Sequence, residues 1–343
     1  MRSLVRGKRI MWIGLVYDLR SDYEKLGFNG EQIAEFDSPE TINAIERELL
    51  SLGHEVERVG NIWRLVEKLA AGSRWDLVFN IAEGLYGMAR ESQVPALLDA
   101  YQIPYVFSEA EVLVVSHNKS IAKNIVEKAG VPTARYAVIS TISDVEAIEL
   151  SYPLFAKPLA EGTGKGVSNL SLINNKDELK HTCEKLLIQF KQPVLVETYL
   201  SGREFTVGII GTGEDATAVG VLEIILHLEA DAVGHTYNNK ENCEMLVTYV
   251  LVTDKIAKQA ETVAITAWKA LGCRDGGRID IRCDSEGVPN FLEVNPLAGL
   301  HPTHSDLPIL CSRAGVEYSE LISRILNSAC ARININEKNR KAI

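Results

Sequence analysis

Two short segments near the carboxyl end of the chain alternate apolar and polar residues. Residues 278–281 have the sequence RIDI and residues 291–295 have FLEVN, with the turn-forming residues DSEG at 284–287 between them. Alternation with a period of two predicts half-buried β-strands, and the intervening residues predict a hairpin. If position 278 faces position 293 across this hairpin, the side chains of Arg278, Asp280, Glu293 and Asn295 all lie on one face.

This shared face has the chemistry of a magnesium site. Two carboxylates and an amide oxygen are hard oxygen ligands, which Mg²⁺ prefers together with water and phosphate oxygens. Arg278 beside them indicates an anion that the metal also holds. The alternative is a surface hairpin with a solvated, charged face. Asp280, Glu293 and Asn295 are therefore candidate metal ligands.

The bulk composition excludes several classes of protein. The chain has 343 residues, of which 46% are hydrophobic and 24% charged, as expected of a globular protein with two or three domains. A net charge of -10 argues against nucleic acid or an anionic membrane as a partner. The six cysteines form no CxxC pair, and no apolar run is long enough to span a bilayer. We therefore expect a cytoplasmic protein with reduced thiols.

Strand-like and helix-like segments divide the chain into three parts. In residues 1–113, strand-like runs at 10–16, 77–80 and 105–107 alternate with helical runs at 39–52 and 93–101, which predicts an α/β domain with a doubly wound parallel sheet. Residues 114–205 predict a smaller lobe, with helices at 118–129 and at 176–190, the second capped by Asn175. Residues 206–330 predict a β-rich lobe with helices at 254–271 and near 316–329. Residues 331–343 predict a disordered tail.

A glycine-rich loop follows the strand predicted at 153–157. This strand ends in Lys157, and the sequence EGTGKG follows at residues 161–166. Glycines at alternate positions allow backbone N–H groups to point at an anion, while Lys157 and Lys165 add positive charge. A flexible hairpin tip is the alternative. The loop matches neither the P-loop nor the Rossmann fingerprint, so a dehydrogenase is disfavoured.

In combination, these segments resemble a known superfamily. The strand ending in Lys157-Pro158, the glycine-rich loop and the Arg/Asp/Glu/Asn hairpin are similar to those of the ATP-grasp superfamily, and within it to the D-alanine–D-alanine ligases. The resemblance covers about residues 76–326. It implies an ATP-grasp fold whose two lobes are residues 114–205 and 206–330. It also implies an ATP-dependent ligase that phosphorylates a carboxylate and joins it to an amine.

The resemblance further implies roles for individual residues. Lys119, Lys157 and Lys240 would contact the phosphates of ATP, together with Thr163 and Gly164 of the loop. Glu197 would bind the adenine amino group, Leu200 the ring through its backbone, and Glu204 the ribose. Asp280, Glu293 and Asn295 would hold two Mg²⁺ ions, with Mn²⁺ as an alternative metal. Arg278 and the backbone N–H of Gly299 would stabilise an oxyanion, and Lys240 would close over the γ-phosphate. The alternative for each charged side chain is an ordinary solvated position.

The amino-acid half of the family pattern is altered. The family has Gly-Gly-x-Ser-x-Glu after the first strand, and this chain does not. Glu35 or Asp37 is the candidate substitute, while an N-cap role for Asp37 or Ser38 is the alternative. Glu83 stands where the family usually has histidine, and Ser305 is a candidate for binding the second substrate's carboxylate.

Three hypotheses about function remain open at this stage. The first is a D-alanine–D-alanine ligase-like enzyme of peptidoglycan biosynthesis that acts on two amino acids and forms a homodimer. The second is an ATP-grasp ligase with other amino-acid or peptide substrates in specialised biosynthesis. The third is a nucleotide-binding protein without turnover, which the full set of lysines and candidate metal ligands disfavours.

Overall fold

The computed structural model describes residues 4–5, 8–30, 32–227, 230, 239 and 243–341. Its strands, in chain order, are β1 Leu4–Val5, β2 Lys8–Arg9, β3 Trp12–Val16, β4 Glu55–Gly60, β5 Leu77–Asn80, β6 Tyr136–Ile139, β7 Leu154–Pro158, β8 Leu172–Ile173, β9 Val194–Thr198, β10 Glu204–Ile210, β11 Thr217–Leu226, β12 Val247–Leu251, β13 Gly276–Cys283 and β14 Pro289–Asn295. Its α-helices are α1 Arg20–Glu24, α2 Pro39–Ser51, α3 Ile62–Ala70, α4 Gln93–Ala100, α5 Ala110–His117, α6 Lys119–Lys128, α7 Lys176–Phe190, α8 Cys243–Leu246, α9 Lys255–Leu271, α10 Asp306–Arg313 and α11 Tyr318–Lys341. In this part of the chain, none of the helices combines the length and apolar character needed to cross a bilayer.

The first sheet is parallel, with the strand order β4-β3-β5. Helix α2 follows β3 and begins where the sequence predicts, because Ser38 accepts the N–H of Thr41 and Pro39 occupies the first turn. The prediction of a strand at residues 105–107 is wrong. Tyr105 forms only an isolated bridge with Val78, since Phe107 turns out of the extended region with φ +74°.

The second sheet is antiparallel, with the strand order β6-β9-β7-β8, and helix α7 packs on it. Buried residues of both, such as Leu154, Val196 and Leu186, form one apolar cluster. The start of α7 agrees with the prediction, since the Asn175 side chain accepts the N–H of Glu178 at 3.0 Å. The glycine-rich loop lies between β7 and β8, at the edge of this sheet.

The third sheet is antiparallel, with the strand order β12-β11-β10-β13-β14. Helix α9 lies against it and buries four alanines and two large side chains: Ala257, Ala260, Ala264, Ala267, Trp268 and Leu271. Asp254 caps its first turn, and Gly272 ends the helix in the left-handed conformation with φ +74°. The alanines let the helix approach the sheet closely, so the hairpin β13–β14 has a rigid support.

The last helix returns to the first sheet. Leu321 and Ile325 of α11 share one apolar cluster with Leu15 and Ile45. The helix continues to Lys341, so its backbone includes most of the segment 331–343, where the sequence predicted a disordered tail. The α/β architecture with a parallel amino-terminal sheet is therefore confirmed, while the domain boundaries at 113 and 205 stay predictions.

Candidate active site

Two neighbouring pockets lie between the second and third sheets and extend to the first. The first, which we call the nucleotide-side pocket, is lined by Lys157, Glu197 and Leu200 and encloses about 820 Å³ including its open mouth. The second pocket is larger and reaches the residues after β3 and β5. Lys119, Glu161 and Glu293 line both pockets, so the two spaces meet at these side chains.

The hairpin β13–β14 brings its four polar residues together, although in a different register from the predicted one. Arg278 is paired with Asn295 and Asp280 with Glu293, so the predicted pairing of 278 with 293 is wrong by two positions. A shift of two keeps every side chain on its face, and the register changes at a bulge after Asp280. The predicted shared face is therefore present.

The donor atoms of this face fit a hard divalent cation. The carboxylate of Asp280 accepts from Thr206 at 2.8 Å and from the Asn295 amide at 3.3 Å, and it forms an ion pair with Arg278. Burial opposes the charge of Arg278, but Asp280 and Asp306 outweigh it and raise its pKa above the usual range. Among the described residues, no group of three or more His, Cys, Asp or Glu is placed to hold a metal ion, whereas this set has two carboxylates and an amide. Such a set suits Mg²⁺, which keeps several water or phosphate ligands.

Lys119 lies at the junction of the two pockets. Its ammonium donates to the carbonyl of Glu161 at 2.5 Å and lies 3.5 Å from Oε2 of Glu293. The lysine occupies the first turn of α6, and the Asn118 side chain caps that turn by accepting the N–H of Ile121 at 3.3 Å. The helix start thus fixes the position of the cation beside a candidate metal ligand.

A buried ion cluster forms one wall of the nucleotide-side pocket. Lys123 Nζ lies 2.5 Å from one oxygen of Glu197, and Lys157 Nζ lies 2.9 Å from the other. Burial raises the pKa of Glu197, but the two ammonium groups outweigh it and lower the pKa to about 2. Burial lowers the pKa of Lys123, which also donates to Thr133 at 2.6 Å.

Sequence reasoning gave no role to Lys123. A signal was present, because Lys123 follows Lys119 by one helical turn and so lies on the same face of α6. Lys157 and Glu197, each predicted to bind a different part of the nucleotide, are brought into contact, and burial of Lys157 is outweighed by Glu197 and Glu293, which raise its pKa. A carboxylate between two buried cations stays ionised and accepts hydrogen bonds.

The far end of the nucleotide-side pocket contains the other predicted adenosine residues. Leu200 and Glu204 both line it, as do Thr198 and Tyr199. Glu204 Oε2 lies 3.5 Å from Nη1 of Arg282, a residue that the sequence analysis did not select. Tyr199 stacks on Phe155 with ring centroids 6.2 Å apart, so this end of the pocket has an aromatic wall.

The glycine-rich loop folds over the junction of the pockets. Gly164 and Gly166 have φ of +70° and +74°, and Thr163 has φ +52°, a conformation that few side chains adopt readily. Gly164 lines the nucleotide-side pocket, as predicted for a phosphate loop, whereas Thr163 lines the second pocket. A Cβ on Gly162 would meet Oε1 of Glu35. The loop backbone therefore lies directly on that glutamate.

Glu35 is part of a four-membered ion network. Its Oε2 lies 3.0 Å from Arg90 and 3.0 Å from Lys165, while Glu161 lies 3.5 and 3.7 Å from the same two cations. Burial raises the pKa of Glu35, but Arg90 and Lys165 outweigh it and lower the pKa to about 2. Sequence analysis did not select Arg90, which no motif marks.

The remaining predicted substrate residues line the second pocket. Burial raises the pKa of Glu83 well above its usual value, and Glu91 and Glu35 raise it further. Burial, and then Asp18, raise the pKa of Asp37 to about 7. Ser38, and not Asp37, is the N-cap of α2.

The opposite wall of this pocket holds the predicted oxyanion and carboxylate residues. Ser305 accepts the N–H of His301 at 3.0 Å, and its hydroxyl lies against Gly299. Arg278 lines the same pocket. Lys240, predicted to cover the γ-phosphate, lies outside the described residues.

Comparisons with known proteins agree with this geometry. A family model described as the D-ala D-ala ligase C-terminus matches residues 125–327. The D-alanine–D-alanine ligase of Aquifex aeolicus is 32% identical over 290 residues, which are 84% of this chain and 94% of that protein. The uncharacterized protein y4sG of Sinorhizobium fredii is 30% identical over 259 residues, 75% of each chain. The crystal structure of a D-alanine–D-alanine ligase from Bacillus anthracis complexed with ATP matches 95% of this chain and 99% of the ligase chain. The TM-score is 0.71 at 21% identity, which shows that the two chains share a fold.

The structural match shows the ATP-grasp fold, and the related ligases define the class of the protein as an ATP-dependent carbon–nitrogen ligase. More closely, the chain belongs to the D-alanine–D-alanine ligase family. The resemblance and the class of enzyme expected from the sequence are thereby confirmed, and such an enzyme requires ATP and a divalent metal ion.

Proposed function

We propose that this enzyme joins two amino acids through an acyl-phosphate intermediate. The γ-phosphoryl group of ATP would move to the carboxylate of the first amino acid, and the amine of the second would then displace phosphate, which gives an amide, ADP and phosphate. One observation carries this proposal: the two pockets meet at Lys119, Glu161 and Glu293. Phosphoryl donor and carboxylate acceptor would therefore meet where a cation already lies.

The nucleotide would occupy the pocket that Glu197 and Lys157 line. The ionised Glu197 would accept the adenine amino group, Leu200 would bond the ring through its backbone, and Glu204 would bind the ribose hydroxyls. Lys119, Lys157, Lys240 and the loop residues Thr163 and Gly164 would surround the phosphates. Phosphoryl transfer needs positioning and charge compensation more than covalent help, which favours this ring of cations.

Asp280, Glu293 and Asn295 would hold two Mg²⁺ ions, with Mn²⁺ as an alternative. Bound there, the ions would neutralise phosphate charge and align the transferring oxygens. Arg278 and the backbone N–H of Gly299 would stabilise the oxyanion that forms when the amine attacks. The pairing of Arg278 with Asp280 supports this role, since it holds the guanidinium at the edge of the second pocket.

The substrates would be amino acids bound in the second pocket. Glu35 and Glu83 are the candidates for the first amino acid, and Ser305 for the carboxylate of the second. Relatives named D-alanine–D-alanine ligase support D-alanine and a role in cell-wall biosynthesis. A glutamate at position 83 favours the second hypothesis, other amino acids in specialised biosynthesis, because a buried carboxyl group with a raised pKa stands there in place of the family's usual histidine.

A panel experiment tests the proposal. The protein is incubated with Mg-ATP and pairs of D- and L-amino acids, and phosphate release and product mass are measured. We expect phosphate release that depends on an amino acid, with a dipeptide mass for at least one pair. If no pair of amino acids stimulates phosphate release, the proposed ligase activity on amino acids is wrong.

We also propose four further properties of the protein. The chain would form a homodimer, which light scattering tests, and would divide into domains at about residues 113 and 205, which limited proteolysis tests. It would act in the cytoplasm, and the described cysteines, all free thiols, support a reducing compartment. Neither a nucleic acid nor a membrane would be its partner, given the net charge of -10.

A further inference from the structure

The ion pair of Lys165 and Glu35 links the two pockets. Lys165 lines the nucleotide-side pocket, and Glu35 lines the second pocket. The Lys165 ammonium lies 3.0 Å from Oε2 of Glu35, and the two side chains are only 8% and 9% exposed. The ion pair therefore connects the proposed phosphate-binding region of the nucleotide-side pocket to the proposed binding region for the first amino acid in the second pocket.

Glu35 already has full charge compensation in this arrangement. Arg90 lies 3.0 Å from the same carboxylate oxygen that Lys165 contacts. A third cation at this carboxylate, such as the ammonium of an amino acid, would place three positive charges against the two carboxylates of Glu35 and Glu161. At this degree of burial, repulsion between the cations is weakly screened, so one of them is expected to leave.

Lys165 is the cation that is able to leave. Arg90 is additionally held by His117, whose ring nitrogen lies 2.8 Å from it. Lys165, in contrast, belongs to the glycine-rich loop, where Gly164 and Gly166 both have positive φ and allow the backbone to rearrange. The side chain already lines the nucleotide-side pocket, so a triphosphate there would attract it.

We propose that Lys165 is a positioning residue that couples the two pockets. Without an amino acid, Lys165 stays on Glu35; when the ammonium of the first amino acid occupies Glu35, Lys165 moves to the triphosphate. This proposal rests on the proposed function, because it places that ammonium at Glu35. Binding of the first amino acid then strengthens nucleotide binding, and by thermodynamic linkage the nucleotide strengthens amino-acid binding by the same factor.

A double-mutant cycle on nucleotide binding tests the pair without any amino acid. The Mg²⁺ complex of the β,γ-imido analogue of ATP is titrated calorimetrically into wild type, Glu35→Gln, Lys165→Met and the double variant. We expect Glu35→Gln to tighten binding by about 5-fold or more, the lower end of usual coupling, because it releases Lys165. In the double variant this gain should be absent. An equal gain with and without Lys165, or no gain at all, would overturn the proposal.

A second arm adds the amino acid that best stimulates phosphate release. We expect it to tighten analogue binding by about 5-fold or more in wild type, to have no such effect in Lys165→Met, and to recover part of it in Lys165→Arg. If Glu35→Gln lowers the melting temperature, these two Lys165 variants carry the test. If the amino acid tightens analogue binding in Lys165→Met as much as it does in wild type, the proposal is contradicted.

The two arms separate this proposal from the proposed function. If no amino acid supports phosphate release, the ligase proposal fails, while the nucleotide-only cycle still decides whether Lys165 is released from Glu35. The ion pair of Lys176 and Glu146 provides the matched control, since it is exposed and lies in the same lobe. Lys176→Met and Glu146→Gln should leave analogue binding unchanged.

Discussion

Nζ of Lys119 lies 3.5 Å from Oε2 of Glu293, so a cation from the first turn of α6 faces a carboxylate of β14 across the cleft. The lysine also donates to the carbonyl of Glu161 at 2.5 Å, and this second contact keeps its position independent of Glu293. A change of charge at Glu293 is therefore expected to alter the chemistry of the junction more than the fold around it.

Glu293→Gln tests the metal site. The amide preserves the shape of the side chain but removes the negative charge that a divalent cation requires, so we expect kcat to fall by about 10²-fold or more, as for loss of one transition-state donor. The melting temperature should stay close to that of wild type. Glu286→Gln, in the exposed turn of the same hairpin, is the control and should keep full turnover. Turnover of Glu293→Gln at the wild-type rate would remove Glu293 from the proposed metal site.

The hairpin shows how much of the site a sequence pattern can predict. Alternation in β13 and β14 determined which side chains share a face, and that prediction is confirmed for Arg278 and Glu293. The pairing itself was wrong by two positions: the loop between Cys283 and Pro289 has an odd number of residues, which displaces the pairing by one, and a bulge after Asp280 displaces it by one more. The face of the sheet on which a side chain lies is therefore predictable from alternation with a period of two. The pairing register between the strands, in contrast, depends on the tertiary structure.

The buried cations were harder to predict. Lys123 was visible as a neighbour of Lys119 along the helix, but its contact with Glu197 joins residues far apart in sequence. The same holds for Arg90 with Glu35. Short-range patterns predict helices and strands well, while ion pairs between residues far apart in sequence depend on how the separate helices, strands and loops pack.

Glu197→Gln tests the buried ion cluster through pH. Because the pKa of Glu197 falls from 4.5 to about 2 on folding, its contribution to stability is complete above about pH 4.5 and is lost as pH falls toward about 2. The glutamine variant lacks this contribution and leaves Lys123 buried without a carboxylate, so we expect it to lose on the order of 3 kcal/mol of unfolding free energy near neutral pH. Urea unfolding over a pH series measures the difference.

The difference between wild type and Glu197→Gln should narrow between pH 4.5 and 2, since wild type then becomes neutral at the same position. Glu184→Gln changes an exposed glutamate of α7 and serves as the control, with wild-type stability throughout. A difference that stays constant over this pH range would show that the Glu197 carboxylate is not the stabilising group.

Gly162→Ala tests the contact of the loop with Glu35. The added Cβ would lie too close to Oε1 of Glu35, so either this carboxylate gives up its contacts with Arg90 and Lys165 or the loop moves away from the junction of the pockets. A loop that no longer covers the junction admits water, and we expect kcat to fall and hydrolysis of ATP without dipeptide formation to rise. The ratio of phosphate to dipeptide measures this uncoupling. Gly30→Ala is the control, because no atom lies within 4 Å of its Cβ; an unchanged ratio in Gly162→Ala would argue against loop closure at this point.

Ser305→Ala tests the proposed site for the second substrate. The hydroxyl accepts the N–H of His301 at 3.0 Å, which leaves its own proton to donate to a carboxylate in the second pocket. A hydrogen bond to a charged group contributes about 1.5–3 kcal/mol, so we expect the KM of the second amino acid to rise by about 10-fold or more, with a smaller change in kcat. Initial rates at varied concentrations of that amino acid measure both constants. Ser312→Ala, exposed on the same helix α10, should behave as wild type. If KM stays constant and only kcat falls in Ser305→Ala, the hydroxyl acts in the chemical step or through the loop backbone, and the carboxylate of the second substrate binds elsewhere.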